Sequence, residues 1–209
     1  VTAGWSLVVP VKGTIDAKSR LGDELPAAER SSLALAFAYD TVAAALAAER
    51  VERVYVVTDA EVDWPSSVTV VPEGGRRGLN AAIELGIDAA GGGPEPETAG
   101  IAVLLGDLPA LRSDDLDAAL TSAEGVDRGF VPDAEGTGTT LLTARAGLAL
   151  EPRFGEASAV AHAGLGHARL EAAPSLRRDV DVPAALDEAV RLGVGGRTSA
   201  ALALQGIRS

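Results

Sequence analysis

Short apolar runs alternate with longer stretches of helical periodicity along this chain, and that alternation predicts the order of elements. Trp5–Val11 (WSLVVPV) is a short apolar run, the pattern of a buried first strand. Lys12–Asp23 is polar and aperiodic and reads as a loop. Pro26–Arg50 is rich in Ala and Leu, with apolar residues at helical spacing and a proline suited to a first turn. Arg53–Val57 is a second strand ending at Thr58–Asp59, and Val68–Val71 a third. Gly78–Ala90 is a helix opened by the glycine-rich stretch Glu73–Gly78, and Gly91–Gly100 has the composition of a surface loop. Ile101–Leu105 is a central strand. Ser113–Glu124 is a helix with Ser113 as its N-cap and Asp114 and Asp115 in its first turn. Gly129–Val131 and Thr139–Thr143 are strands flanking a GTGT turn, and Ser158–Gly166 is a short helix. Arg177–Val182 leads into a helix at Pro183–Gly193, and the tail is helical. Strands alternating with helices predict an α/β fold, with a mostly parallel central sheet and helices on both faces. Ligands of such sheets bind beyond the carboxyl ends of the strands, where Lys12, Thr58–Asp59 and Asp107 fall.

Composition narrows what this sheet can do. Apolar residues make up 47% of the 209, but aromatics only 3%, so Ala, Val and Leu must build the core. The length favours a single domain over residues 1–209, with a surface loop at about 91–100. No apolar run reaches the ~18 residues of a membrane span, and no basic-then-apolar signal pattern is present. A cytoplasmic protein with no membrane partner is expected. The absence of cysteine excludes disulfides, thiolate catalysis and Cys-ligated metals. A net charge of −12 argues against nucleic acid as a partner. A small anion needs only local cations, helix N-termini or a divalent metal. The only two lysines, Lys12 and Lys18, sit together, and Lys is a compact charge suited to phosphate oxygens.

Four motifs carry candidate chemistry. In Leu104-Leu105-Gly106-Asp107-Leu108-Pro109 an aspartate follows a buried strand closely, a rigid position from which a carboxylate can hold magnesium on nucleotide phosphates. The bland alternative is a cap on the next turn. In Arg178-Asp179-Val180-Asp181-Val182-Pro183, Asp181 either caps the helix opened by Pro183 or joins Asp107 on a shared metal. The first loop offers Lys12, Gly13, Lys18 and Arg20 as a triphosphate cradle, without the Walker A pattern. In Pro132–Thr140, alternating Gly and Thr bring backbone N–H groups and hydroxyls close to a carboxylate or phosphate, or simply turn a hairpin. Arg153-Phe154-Gly155-Glu156-Ala157-Ser158 repeats that logic with a cation, a glycine and a serine at a helix start. His162 and His167 read as surface or helix positions, and Trp5 and Trp64 as packing residues.

The ordered set VPVK…AKSRL, GLNAAI, LLGDLPAL, PDxxGTGTTLL, RFG…S and RDVDVP resembles the guanylyltransferases of coenzyme F-420 biosynthesis, from about Leu7 to Gly195. Archaeal members of that family act on 2-phospho-L-lactate and actinobacterial ones on phosphoenolpyruvate. The resemblance implies a single-domain, Rossmann-like nucleotidyltransferase fold of the GT-A-like kind. It implies Asp107 and Asp181 as ligands of Mg2+. It matches Thr139, Gly155 and Ser158 to the phosphoacid, and Lys12, Lys18 and Arg20 to the phosphate-binding loop. Asn80, in Gly78-Leu79-Asn80, falls near the base, and Gly13 and Gly106 belong with the nucleotide site. The implied partners are GTP, a phosphorylated three-carbon acid and the downstream transferase of the pathway.

The implied reaction is attack of a phosphate oxygen of the acid on the α-phosphorus of GTP, with loss of pyrophosphate. The nucleophile is already an anion at neutral pH, so alignment and charge neutralisation matter more than a general base. Competing readings are a nucleotidyltransferase for molybdopterin or a sugar phosphate, a glycosyltransferase on the same sheet, and a non-catalytic nucleotide-binding protein.

Overall fold

The computed structural model describes residues 4–11, 26–75, 78–91 and 99–204. Its elements run β1 (Trp5–Pro10), α1 (Ala27–Ala47), β2 (Val51–Val57), β3 (Val68–Val71), α2 (Leu79–Gly91), β4 (Gly100–Leu104) and α3 (Ser113–Ala123). Next come β5 (Arg128–Pro132), β6 (Thr139–Ala144), α4 (Ser158–Gly164), β7 (Ala168–Arg169), α5 (Pro174–Arg177), α6 (Pro183–Leu192) and α7 (Gly196–Leu204). The strands form one sheet in the order β3-β2-β1-β4-β6-β5-β7. Only β6 runs against its neighbours, β4 and β5. The sheet is therefore mostly parallel, as the alternation predicts.

The continuous apolar strands are buried on both faces. Leu7, Val9, Val54, Val56, Leu104 and Leu141 join Ala38, Val42, Leu116 and Leu120 of α1 and α3. The alternate residues Val8, Tyr55, Val57, Val103, Phe130 and Leu142 join Ala82, Ile83 and Ala159 of α2 and α4. This is the period-two alternation of a strand read by two helical layers. Each such buried Leu, Val or Ile contributes about 1.5–3 kcal/mol relative to exposure. On the outer side of α1, Leu33 and Phe37 pack with Val180, Leu186, Ala189 and Leu202, so α6 and α7 have their own small core. Gly86 lets α2 lie close on the sheet, since a Cβ there would sit 2.3 Å from Val8 Cγ1.

Polar side chains hold the helix ends. Asp40 of α1 accepts the backbone N–H groups of Arg197 and Thr198 and so caps α7 from a distance (3.0 and 2.7 Å). Asp117 accepts those of Glu49 and Arg50 where α1 turns into β2. The expected cap at Ser113 is corrected: Arg112 is extended (φ −108°, ψ 139°), the helix starts at Ser113, and no side chain caps it. Its hydroxyl faces the Asp114 carboxylate instead. Two elements, β7 and α5, carried no sequence signal because two and four residues are too few to show a period. Trp5 is buried, and Trp64 stacks on Tyr39 at 4.7 Å, both as packing residues. No helix among the described residues is long and apolar enough to cross a membrane.

Candidate functional site

The order of strands reverses between β1 and β4, and parallel sheets open a crevice at such a point. Gly106 lies there. A Cβ on it would stand 3.1 Å from the Pro10 carbonyl and 3.4 Å from Val11, so glycine allows the turn after β4 to rest against the exit of β1. The N–H of Leu105 donates to Thr140 (3.0 Å), which ties the turn to β6. The N–H of Leu108 donates to Thr41 Oγ1 (3.1 Å), and Thr41 in turn donates to Phe37 of α1 (2.8 Å). Asp107 is thus set between two fixed neighbours, with its Oδ1 shielded from solvent.

The distant RDVDVP segment docks on this turn. The N–H of Val180 donates to the Asp107 carbonyl (3.1 Å), and Val180 is fully buried. Asp181 follows directly and is exposed. It is not the cap of α6: Val182 holds that position. Upstream, Arg177 Nη2 donates to the Asp133 carbonyl (2.8 Å) and Nε to that of Pro132 (3.2 Å). Arg178 pairs with Glu135 and Glu188, each at 2.6 Å. Burial works against the charge of Arg178, but Glu135, Glu188 and Asp179 outweigh it and raise its pKa. Residues 177–181 therefore strap the GTGT loop to the Asp107 turn.

The GTGT loop is organised by Asp133. Its carboxylate accepts the N–H groups of Thr137 (2.8 Å) and Gly138 (2.7 Å), and a Cβ at Gly138 would lie 2.4 Å from it. The segment turns the hairpin between β5 and β6. Asp133, Glu135 and Asp179 bring carboxylate oxygens within 4.8 Å of one another, an all-oxygen set suited to a hard divalent cation. These three stand in the PDAEGTGT and RDVDVP motifs, where no local signal marks them as a group. The pairing of Asp133 with Asp179 is a contact between segments far apart in the chain, and no local pattern announces it.

On the other side of the loop stands the RFG…S segment. Gly155 has φ +131°, a conformation open to glycine, and its carbonyl accepts the N–H of Ser158 (3.2 Å). Ser158 is buried at the start of α4, and Ala159 N–H donates to Thr137 (3.0 Å). Asn80 clamps the segment: its Nδ2 donates to the Phe154 carbonyl (2.9 Å), and its Oδ1 accepts the Phe154 N–H (2.8 Å). Thr139 opens β6, buried, with its Oγ1 2.9 Å from His162 Nδ1. Of the surface or helix positions expected for the two histidines, His162 takes the helix one, in α4, but it is fully buried there, and His167 is nearly so. Burial, then His167 and then Arg153, lowers the His162 pKa to about 4. Their neighbours in sequence are mostly Ala and Gly and announce no burial; Phe130 and Phe154 close over His162, and His162 in turn packs on His167, only in the fold.

Most of the candidate residues thus meet at one end of the sheet. Asp107 and Asp181 come from one pair of docked segments, and Thr139, Gly155, Ser158 and Asn80 from an adjoining network. Lys12, Gly13, Lys18 and Arg20 lie outside the described residues.

Known proteins resemble this chain along most of its length. Residues 5–175 match the family described as guanylyl transferase CofC like. The phosphoenolpyruvate guanylyltransferase of Salinispora arenicola is 48% identical, over 95% of this chain and 94% of its own. That of Geodermatophilus obscurus is 49% identical, with the same coverage of each chain. Among solved structures, a 4-diphosphocytidyl-2C-methyl-D-erythritol synthase superposes with a TM-score of 0.62 at 16% identity, covering 91% of this chain and 99% of the other. At that identity the likeness speaks for the nucleotidyltransferase fold alone. With the family match spanning β1 to α5 and relatives near half-identical along almost the whole length, the protein belongs to the guanylyl transferase CofC-like family of nucleotidyltransferases.

Proposed function

We propose that this chain transfers a guanylyl group from GTP to phosphoenolpyruvate and releases pyrophosphate, with 2-phospho-L-lactate as the alternative acceptor. A phosphate oxygen of the acid attacks the α-phosphorus, the bond to the β-phosphate oxygen breaks, and pyrophosphate departs with that electron pair. The product is a guanosine-diphosphate-linked three-carbon acid, which as a phosphate anhydride suits immediate use by the downstream transferase of coenzyme F-420 biosynthesis. The relatives named for phosphoenolpyruvate support that acceptor. Dependence on GTP points to the cytoplasm as the place of work.

The single observation that carries the reading is the Val180–Asp107 backbone hydrogen bond, which seats Asp181 one residue from a direct contact with Asp107. A carboxylate oxygen shielded from solvent beside the β1–β4 crevice fits a hard cation held by oxygen. Asp107 and Asp181 would hold Mg2+, which supplies charge neutralisation on the phosphates when bound. Lys12, Gly13, Lys18, Arg20 and Gly106 hold the nucleotide phosphates, and Asn80, its amide committed to Phe154, shapes the wall near the base rather than reading it. Thr139, Gly155 and Ser158 take the acceptor. Two anions must be brought together, so the contribution of these residues is alignment and fixed positive potential rather than proton transfer.

The test is pyrophosphate release from GTP and Mg2+ with each phosphoacid in turn. Release with phosphoenolpyruvate, lost in Asp107→Asn and Asp181→Asn variants that stay folded, is the expected result. No release with either acid, or undiminished release in Asp107→Asn, overturns the proposal.

A further inference from the structure

His162 is the one buried imidazole that touches the acceptor network, and the reaction as derived gives it no task. Its two nitrogens have different partners. The backbone N–H of Arg153 donates to Nε2 (3.0 Å), so Nε2 presents its lone pair. A neutral imidazole carries a single proton, which must then sit on Nδ1. Nδ1 lies 2.9 Å from Thr139 Oγ1, and the hydrogen bond between them runs from ring to hydroxyl. The hydroxyl accepts from the ring and keeps its own proton to give. The ring is held edge-on by Phe154 and His167, with centroids at 5.2 and 5.6 Å. His167 Nδ1 also contacts the His162 carbonyl (3.2 Å).

We propose that His162 is a positioning residue, which acts on the acceptor through Thr139 by fixing that hydroxyl as a hydrogen-bond donor toward an oxygen of the anionic phosphoacid. The inference rests on the assignment of Thr139 to the acceptor. The donor set fits an anion: a hydroxyl that accepts from Nδ1–H does not spend its own proton on the ring, and that proton is left to donate to an acceptor oxygen. The tautomer is protected by its surroundings. Burial, His167 and Arg153 all disfavour imidazolium at His162; at His167 burial and then Arg128 lower the pKa, against the hydrogen bond to the His162 carbonyl and Glu151. His162 is therefore neutral near pH 7, and its place in the site is that of a fixed hydrogen-bonding ring. The same ring ties the start of β6 to the RFG segment that carries Gly155 and Ser158.

Two variants separate the roles of the two nitrogens. His162→Asn keeps an amide donor at the Nδ1 position; His162→Gln keeps an acceptor at the Nε2 position. In pyrophosphate-release kinetics His162→Gln is expected to raise the KM for phosphoenolpyruvate about ten-fold with the KM for GTP unchanged, whereas His162→Asn stays within about three-fold of the parent. Thr139→Val reproduces the ten-fold loss, and adding His162→Gln to it costs nothing further. Equal losses in the Asn and Gln variants, or independent losses in the double variant, overturn the proposal. If Thr139→Val leaves the acceptor KM unchanged, the assignment of Thr139 to the acceptor has failed instead. A readout free of turnover stands beside these: long-range 1H–15N spectra must show His162 protonated at Nδ1 between pH 6 and 8. Protonation at Nε2 sinks the idea whatever the kinetics.

Discussion

Lowering the pH below neutrality should weaken this fold through one side chain in particular. His162 is fully buried with both nitrogens committed, and its pKa falls to about 4 against an ordinary 6.5. The sign follows from proton counting. Above pH 6.5 both the folded and the unfolded ring are neutral, and the position contributes its full stability. Between pH 6.5 and about 4 the unfolded chain binds a proton that the folded chain refuses, so stability falls as pH falls. At about 1.36 kcal/mol per pH decade, the loss is about 3 kcal/mol by pH 4. That is a large share of the 5–15 kcal/mol typical of a domain. His167, also lowered by burial, adds a smaller loss in the same window. The assay is urea unfolding from pH 7.5 to 4, for the parent and for His162→Gln. Carboxylate titration and His167 are common to both chains, so the difference between their stability curves isolates His162. That difference should shrink by about 3 kcal/mol across the range. Parallel curves would falsify the reasoning, since they would mean that the ring is solvated or protonated in the folded state.

Three further outcomes are expected. Gly86→Ala should destabilise by about 1–3 kcal/mol in urea unfolding despite the ~1 kcal/mol gain in helix propensity, because its Cβ would meet Val8 and Val57 at 2.3 and 2.7 Å; a more stable variant would show that α2 can lift off the sheet at little cost. Asp40→Ala should cost about 1–2 kcal/mol and speed amide exchange in α7, whose first N–H groups its carboxylate accepts; unchanged protection of Thr198 would contradict that cap. Chelation of divalent cations should abolish pyrophosphate release and leave the fold intact, with activity returning on addition of Mg2+; persistent turnover in excess chelator would remove the metal from the account.

Much of this protein is legible along the chain because its signals are local. Apolar runs such as Val54–Val57 and Ile101–Leu104 are buried on both faces, so they read as strands without knowledge of their neighbours. The helices of α1, α2, α3 and α6 show their period within a few turns. Glycines that permit close approach, at Gly106 and Gly138, stand beside the acidic and hydroxyl residues they serve. The position of Asp107 at a strand end, which makes it a candidate, is likewise a local fact.

What only the tertiary structure decides is which of these segments face one another. Nothing local says that β6 is inserted between β4 and β5, since pairing is a contact between chain segments and a strand's pattern is compatible with either neighbour. The docking of Val180 on Asp107, the strap of Arg177 and Arg178 on the GTGT loop, and the carboxylate group of Asp133, Glu135 and Asp179 are of the same kind. His162 is the sharpest instance. A histidine between alanines on a short helix looks solvated, and it becomes a buried, single-tautomer ring only once the RFG segment, clamped by Asn80, folds over it. Burial and hydrogen-bond partnership depend on what the rest of the chain brings, and periodicity carries no record of that.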